Sequence, residues 1–481
     1  MTDAAEIRRA IVDALPITTS NYGELPDLGQ VYVPPSHLRA LRLDCNLVIG
    51  ARGVGKSFWA SALRLEGVRQ QLGESLSPLT KTDVFAGFGT QPDIEFYPDG
   101  DTFSGILSQE RTPYDVWRAV VARRLSAIIG LDIPKGTWKE TVDWVSKNPE
   151  PFALLQQNAN IFFRDEGKAC LIVFDALDRT SSDWRTMDNI VRELLRVILQ
   201  MKAHSLLHGK VFLREDQFHR TITDFPDASK LLATRVELSW APHDLHGLLW
   251  QLLCNASGKS GECLRGVYKS VLEEAPIEQA GVWLLREDSK REGKAQRELF
   301  ERLAGKWMGR DRRRGIPYTW SVSHLEDARR HASPRSFIAA IGTAADVSNQ
   351  RYPEHSYPLH YESIKLGVQK ASEIRVSEMA EDYQWVKTLM EPLRGITVPC
   401  DFSMIEECWN TSFPQGAGDI GSNHLPPQRI EQGWQGIRED LQGLGIFEAM
   451  KDGRLNMPDL YRVGFGLGRR GGVKPMRAGS R

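Results

Sequence analysis

The stretch Leu47-Val48-Ile49-Gly50-Ala51-Arg52-Gly53-Val54-Gly55-Lys56-Ser57-Phe58 decides how this chain is read. An apolar run of strand character leads into the spacing G-x-x-x-x-G-K-S, and a helical pattern follows it. Gly50, Gly53 and Gly55 leave the backbone free to turn successive N–H groups, those of Arg52 and Val54 among them, onto one anion. Lys56 adds a fixed positive charge and the Ser57 hydroxyl suits Mg2+. The helix that continues through Phe58 points its positive end at the same place. The pattern predicts a phosphate-binding loop whose ligand is a nucleoside triphosphate, expected to be ATP with Mg2+.

A second signature lies downstream in Cys170-Leu-Ile-Val-Phe174-Asp175-Ala176-Leu177-Asp178-Arg179. An apolar run ending in Asp describes a buried strand whose carboxylate emerges at its C-terminal tip, where open α/β sheets bind ligands. Asp175 is therefore the expected second Mg2+ group beside Ser57. Further short apolar runs fall at 46–49, 84–88, 211–213 and 235–238 without alternation, as parallel strands covered on both faces require. Helical patterns at 57–70, 113–129 and 184–201 separate them, with Pro113 at a first turn and 181–183 offering N-caps. Strands alternating with helices read as an α/β parallel sheet. The gap between Lys56 and Asp175 far exceeds the ~30 residues of one strand–helix–strand unit, so 90–168 is expected to hold inserted helices.

With 481 residues, 41% hydrophobic and 26% charged, the chain is long enough for roughly three domains of ordinary composition. The divisions expected are an N-terminal segment at 1–30, a nucleotide-binding core at 31–240, a helical lid at 241–350 and a C-terminal region at 351–481. Within the lid only helices are expected, at 245–253, 296–308, 325–331 and 335–345. The C-terminal region reads as a long helix over 364–390, then a helix at 434–444 and a hairpin turning at 451–453, an order that suggests a winged helix. No run reaches the ~18 apolar residues of a membrane span, and the acidic start is unlike a secretory signal. Six cysteines with no C-x-x-C spacing fit a reducing cytoplasm and no zinc site. His204 and His208, four apart, read as ordinary residues at a helix end. A net charge of −1 excludes a broad electrostatic claim on nucleic acid or membrane. Local basic clusters remain at Arg310–Arg314 and in a tail carrying Arg462, Arg469, Arg470, Lys474, Arg477 and Arg481. These suit either a solvated surface or contacts to phosphate.

Together the loop and the Asp175 strand resemble the ring-ATPase (AAA+) and STAND/KAP branches of the P-loop NTPases. The leader Tyr32-Val-Pro-Pro-Ser-His-Leu-Arg-Ala-Leu41 is similar to that of origin-recognition-like ATPases, and the resemblance extends over about 30–345. It implies that Arg214 and Glu215, after the run 211–213, occupy the place of a polar γ-phosphate sensor. It also implies that Arg335, opening a lid helix, is a second sensor. Relatives of the KAP type carry an acid directly after the magnesium aspartate, where this chain has Ala176. Asp178 is then the nearest group able to activate water, with Glu215 a more distant one; alternatively, Asp178 pairs structurally with Arg179, Arg214 or Lys56. The chain as a whole also resembles stand-alone bacterial P-loop ATPases. That implies an ATPase whose nucleotide state is passed to a protein partner or effector, in anti-phage defence. A nucleotide-held scaffold with little hydrolysis and a DNA-engaging ATPase are the alternatives, and self-association is left open.

Overall fold

Uninterrupted apolar runs pair here as parallel strands. The computed structural model describes residues 3–15, 25–420, 425–470 and 473–475. It divides into two units, Asn21–Ser239 and Met1–Ser20 together with Trp240–Arg481. In the first unit β1 (Leu47–Gly50), β2 (Thr82–Phe88), β3 (Ala169–Phe174), β4 (Leu207–Arg214) and β5 (Val236–Leu238) form one sheet of order β2-β3-β4-β1-β5. Every pairing is parallel. A parallel neighbour needs a crossover connection, so helices cover the faces and every residue of β1 and β3 is buried. This is the α/β sheet of a P-loop NTPase core. Register sets Gly50 beside Arg214 on β4 and Leu238 on β5, which brings the glycine-rich loop and the tip of β4 to one edge.

Four helices fill the interval between β2 and β3: Gly100–Leu107, Pro113–Ile129, Trp138–Lys147 and Pro149–Asp165. Thr112 caps the second by accepting from the Asp115 N–H, and Gly130 ends it in the left-handed conformation. Trp117 on that helix is fully buried, sets edges against Phe88 and Phe174 and donates its indole N–H to the Ile190 carbonyl at 2.9 Å. One side chain thus holds the inserted helices, the sheet and the helix Trp184–Met201 together. The latter helix is capped by Asp183 and ends at Met201. The helix-end reading of His204 and His208 is therefore corrected, since His208 lies on β4.

The second unit is mainly helical. Helix Ala4–Ala14 buries Ile7, Arg8, Ala10 and Ile11. Helices Pro242–Cys254, Gly258–Leu272, Lys294–Ala304, Pro317–Ser323, Pro334–Arg351, Tyr361–Asp382, Gln384–Met390, Phe402–Ser412 and Gly433–Gly443 follow. The helices-only expectation for 241–350 is corrected by an antiparallel hairpin, Ile277–Gln279 with Val282–Leu284. Its tight turn puts both Ala280 (φ 51°) and Gly281 (φ 78°) at positive φ. Residues 325–331 form a turn closed by a bridge between Glu326 and Ala332, not a helix. Beyond Gly443 a short hairpin, Glu448–Ala449 with Leu455–Asn456, precedes helix Asp459–Phe465 and strand Gly468–Arg469, which pairs with Thr397–Val398. Arg462, expected in a basic tail, is instead fully buried and bonded to Asp459 at 2.7 Å; Arg477 and Arg481 lie outside the described residues. No described helix is long and apolar enough to cross a membrane.

Candidate functional site

The loop after β1 is shaped by its glycines. A Cβ on Gly50 would stand 2.6 Å from Val54 Cγ1, and Gly55 adopts φ 104°, so each position excludes an ordinary side chain for its own reason. Gly53 also has positive φ. Helix Lys56–Ala62 starts directly after Gly55. Val54 is buried, Arg52 is partly exposed, and Phe58 packs edge-to-face on Trp59.

Lys56 folds back over the loop and donates to the carbonyls of Gly50 and Ala51, both at 2.8 Å. Part of its surface stays open, yet the protein packed around it and then Arg214 push the ammonium down to about 8. Asp175, Asp216 and Asp178 act in the opposite sense. At the tip of β3, Asp175 is buried, its N–H bonded to the Phe88 carbonyl at 3.0 Å. Burial pushes its carboxyl up, while the Ser57 hydroxyl, donating to it, and Lys56 pull it back. The two groups expected at Mg2+ therefore touch each other, one hydroxyl and one carboxylate, a donor set of the oxygen type that a hard cation takes.

Arg214, at the tip of β4, joins the remaining residues. Its Nε and Nη2 donate to the two carboxylate oxygens of Asp216, each at 3.1 Å, and its Nη1 lies 3.4 Å from Asp178 Oδ2. Burial alone would lower this guanidinium, but the two carboxylates hold it raised. Ala176, between Asp175 and the turn Leu177–Arg179, takes the left-handed conformation at φ 57°. Leu177 is buried there and Asp178 keeps 28% of its side chain open. Glu215 follows Arg214 in the turn Glu215–Gln217.

Lys56, Ser57, Asp175, Asp178 and Arg214 are thus brought into one cluster. Arg335 belongs to the other unit. It lies in the first turn of helix Pro334–Arg351, bonded to Glu378 of helix Tyr361–Asp382. The Arg310–Arg314 cluster is an exposed turn whose Asp311 accepts from the Arg313 N–H. Asp216 falls in the run Arg214-Glu215-Asp216 where the resemblance sets a sensor, and here it is the carboxylate that orients Arg214. One residue escapes the sequence reading: His37 of the leader, which accepts from the Trp59 indole at 3.0 Å and donates from Nε2 to the Ser239 carbonyl at 3.1 Å. Burial pushes His37 down to about 4, so it is neutral and this tautomer is fixed by its partners.

No protein-family profile and no curated protein matches this sequence. Among solved structures the chain is similar to the Aeropyrum pernix ORC2 protein in its ADPNP–ADP complexes. That match has 12% identity, a TM-score of 0.33 and coverage of 94% of this chain and 93% of that one. The ADP form of the same protein gives 12% identity, a TM-score of 0.33, and coverage of 93% and 92%. At that score the likeness adds nothing to what the sheet order establishes.

Proposed function

We propose that this chain binds ATP with Mg2+ at the loop Gly50–Ser57 and hydrolyses it, passing its nucleotide state to a protein partner. The observation that carries the reading is the meeting of Ser57 with Asp175 beside the folded-back Lys56. Lys56 is bonded only to loop carbonyls there, contacts that a phosphate oxygen can replace with a stronger charge-assisted one. Ser57 and Asp175 would hold the cation, which supplies neutralising charge for the phosphates when bound. Arg214, prepaid in orientation by Asp216, would face developing charge on the transferred group. Asp178 would accept the proton of the attacking water. Anti-phage defence as the setting and a sensor role for Arg335 rest on the sequence resemblance alone, and a winged helix at the C-terminal hairpin rests on the order of helix and turn in the sequence.

A second reading has its own observation. Ala176 supplies no acid and Asp178 is engaged by Arg214, which suits a scaffold that holds ATP and turns it over slowly. Titration calorimetry with ATP and Mg2+, followed by steady-state turnover, separates the two. Lys56→Ala is expected to lose at least about tenfold in affinity, since a charge-assisted phosphate contact is worth roughly 1.5–3 kcal/mol. Retained wild-type affinity would remove the nucleotide assignment. Arg335→Ala belongs in the same titration; if it changes neither affinity nor turnover, it has no sensor role.

A further inference from the structure

The second unit contains an open cavity of about 350 Å³ whose lining residues, Pro458 apart, are polar or charged. Asn456 contributes to its floor. This side chain is only 6% exposed, and its amide nitrogen donates to Glu448 Oε2 at 2.7 Å, which fixes the amide's orientation. Its Oδ1 then meets no hydrogen-bond partner among the described residues. A buried carbonyl oxygen in a roomy polar cavity calls for a donor.

The neighbouring groups make the same demand. His324 Nδ1 lies 3.0 Å from the Trp320 carbonyl, which can only accept, and 3.2 Å from the Ser323 hydroxyl, which can do either, and a proton on Nδ1 meets both. Burial pushes this imidazole down, leaving Nε2 as an acceptor 3.8 Å from Asp459 Oδ2. Two acceptors facing each other at that distance again call for a donor between them. Cations stand in the same lining: Arg330, 71% open, reaches Glu448 at 3.1 Å and Glu326 at 3.7 Å, and Arg469 lies 3.5 Å from Asp459. Both arginines keep donors that a bidentate anion could take.

We propose that this cavity binds a small zwitterion, with a primary ammonium donating to Asn456 Oδ1, Asp459 and His324, and a phosphate or carboxylate held by Arg330 and Arg469. No large apolar side chain lines the cavity, so a free solute fits it better than a lipid headgroup in a bilayer. All of its lining residues belong to the second unit.

Calorimetry on the full chain tests this with phosphoethanolamine, phosphocholine and inorganic phosphate. Phosphocholine keeps both charges but has no N–H. Phosphoethanolamine is expected to bind saturably at one site and at least about tenfold more tightly than the other two, the scale of a lost charged hydrogen bond. Asn456→Leu should erase that preference, and Arg469→Gln should weaken phosphoethanolamine several-fold. Thermal unfolding confirms that each variant folds, and Arg469→Gln carries the test if Asn456→Leu does not. Absence of binding, equal affinity for phosphocholine, or unchanged affinity in a folded variant would overturn the proposal. So would binding to phosphatidylethanolamine vesicles without binding of the free compound.

Discussion

At the scale of single residues, the proposed hydrolysis turns on Ala176 and its neighbours. A non-glycine residue in the left-handed region costs about 1 kcal/mol or more. That cost is met where it lets Leu177 bury while Asp178 reaches Arg214. Because Ala176 has no proton acceptor, the only carboxylate just beyond Asp175 is Asp178. Asp178→Asn keeps an acceptor for Arg214 and removes the base, so turnover should fall by roughly 10²-fold with little change in ATP affinity. Steady-state assays alongside thermal unfolding decide the matter. A variant that melts earlier yet turns over at the wild-type rate would make Asp178 a structural partner of Arg214 and no more.

At the scale of elements, what the sequence makes legible follows from how local each signal is. The glycine loop, the strand ending at Asp175 and the helices capped by Thr112 and Asp183 are each specified within a dozen residues, and each stands where expected. Helix Gly258–Leu272 goes unread because Gly258, Gly261 and Gly266 dilute its pattern. Hairpin 277–284 is too short to alternate visibly. The Arg214 contact to Asp178 spans 36 residues, and the sequence could name Arg214 only as one of three possible partners; the His37 contact to Ser239 spans 202 and only tertiary structure discloses it. Arg8 belongs to the same class. Fully buried on helix Ala4–Ala14, it donates to the carbonyls of Pro353, His355, Tyr357 and Pro358, closing a loop more than three hundred residues away. Arg8→Ala removes all four bonds and leaves the buried Pro358 carbonyl unmet, and should cost about 1–3 kcal/mol, read by chemical denaturation. A loss under ~0.5 kcal/mol would show that water satisfies the loop equally well.

For the whole molecule, the two fully buried histidines among the described residues fall one to each unit. His37 is pushed down to about 4 and His246 to about 3, in both cases chiefly by burial. An unfolded histidine titrates near 6.5, so the unfolded state binds the proton first as pH falls. Stability is then fully present above pH ~6.5 and is withdrawn as pH drops toward 4, by up to about 3 kcal/mol for His37 on the scale of about 1.4 kcal/mol per pH unit. Melting temperature followed from pH 7 to 4.5 should fall accordingly, and less steeply in His37→Gln; a flat profile would mean that neither ring is buried neutral. The division of the chain has a last consequence, for synthesis. Helix Ala4–Ala14 is made before the sheet, yet the unit it completes begins again only at Trp240. At ~5–20 residues per second the nucleotide core can finish folding while that helix waits tens of seconds, its Ile7 and Ile11 still uncovered, for helices 258–272 and 334–351 to be made. The newborn chain therefore holds a folded glycine loop well before its helical unit is complete.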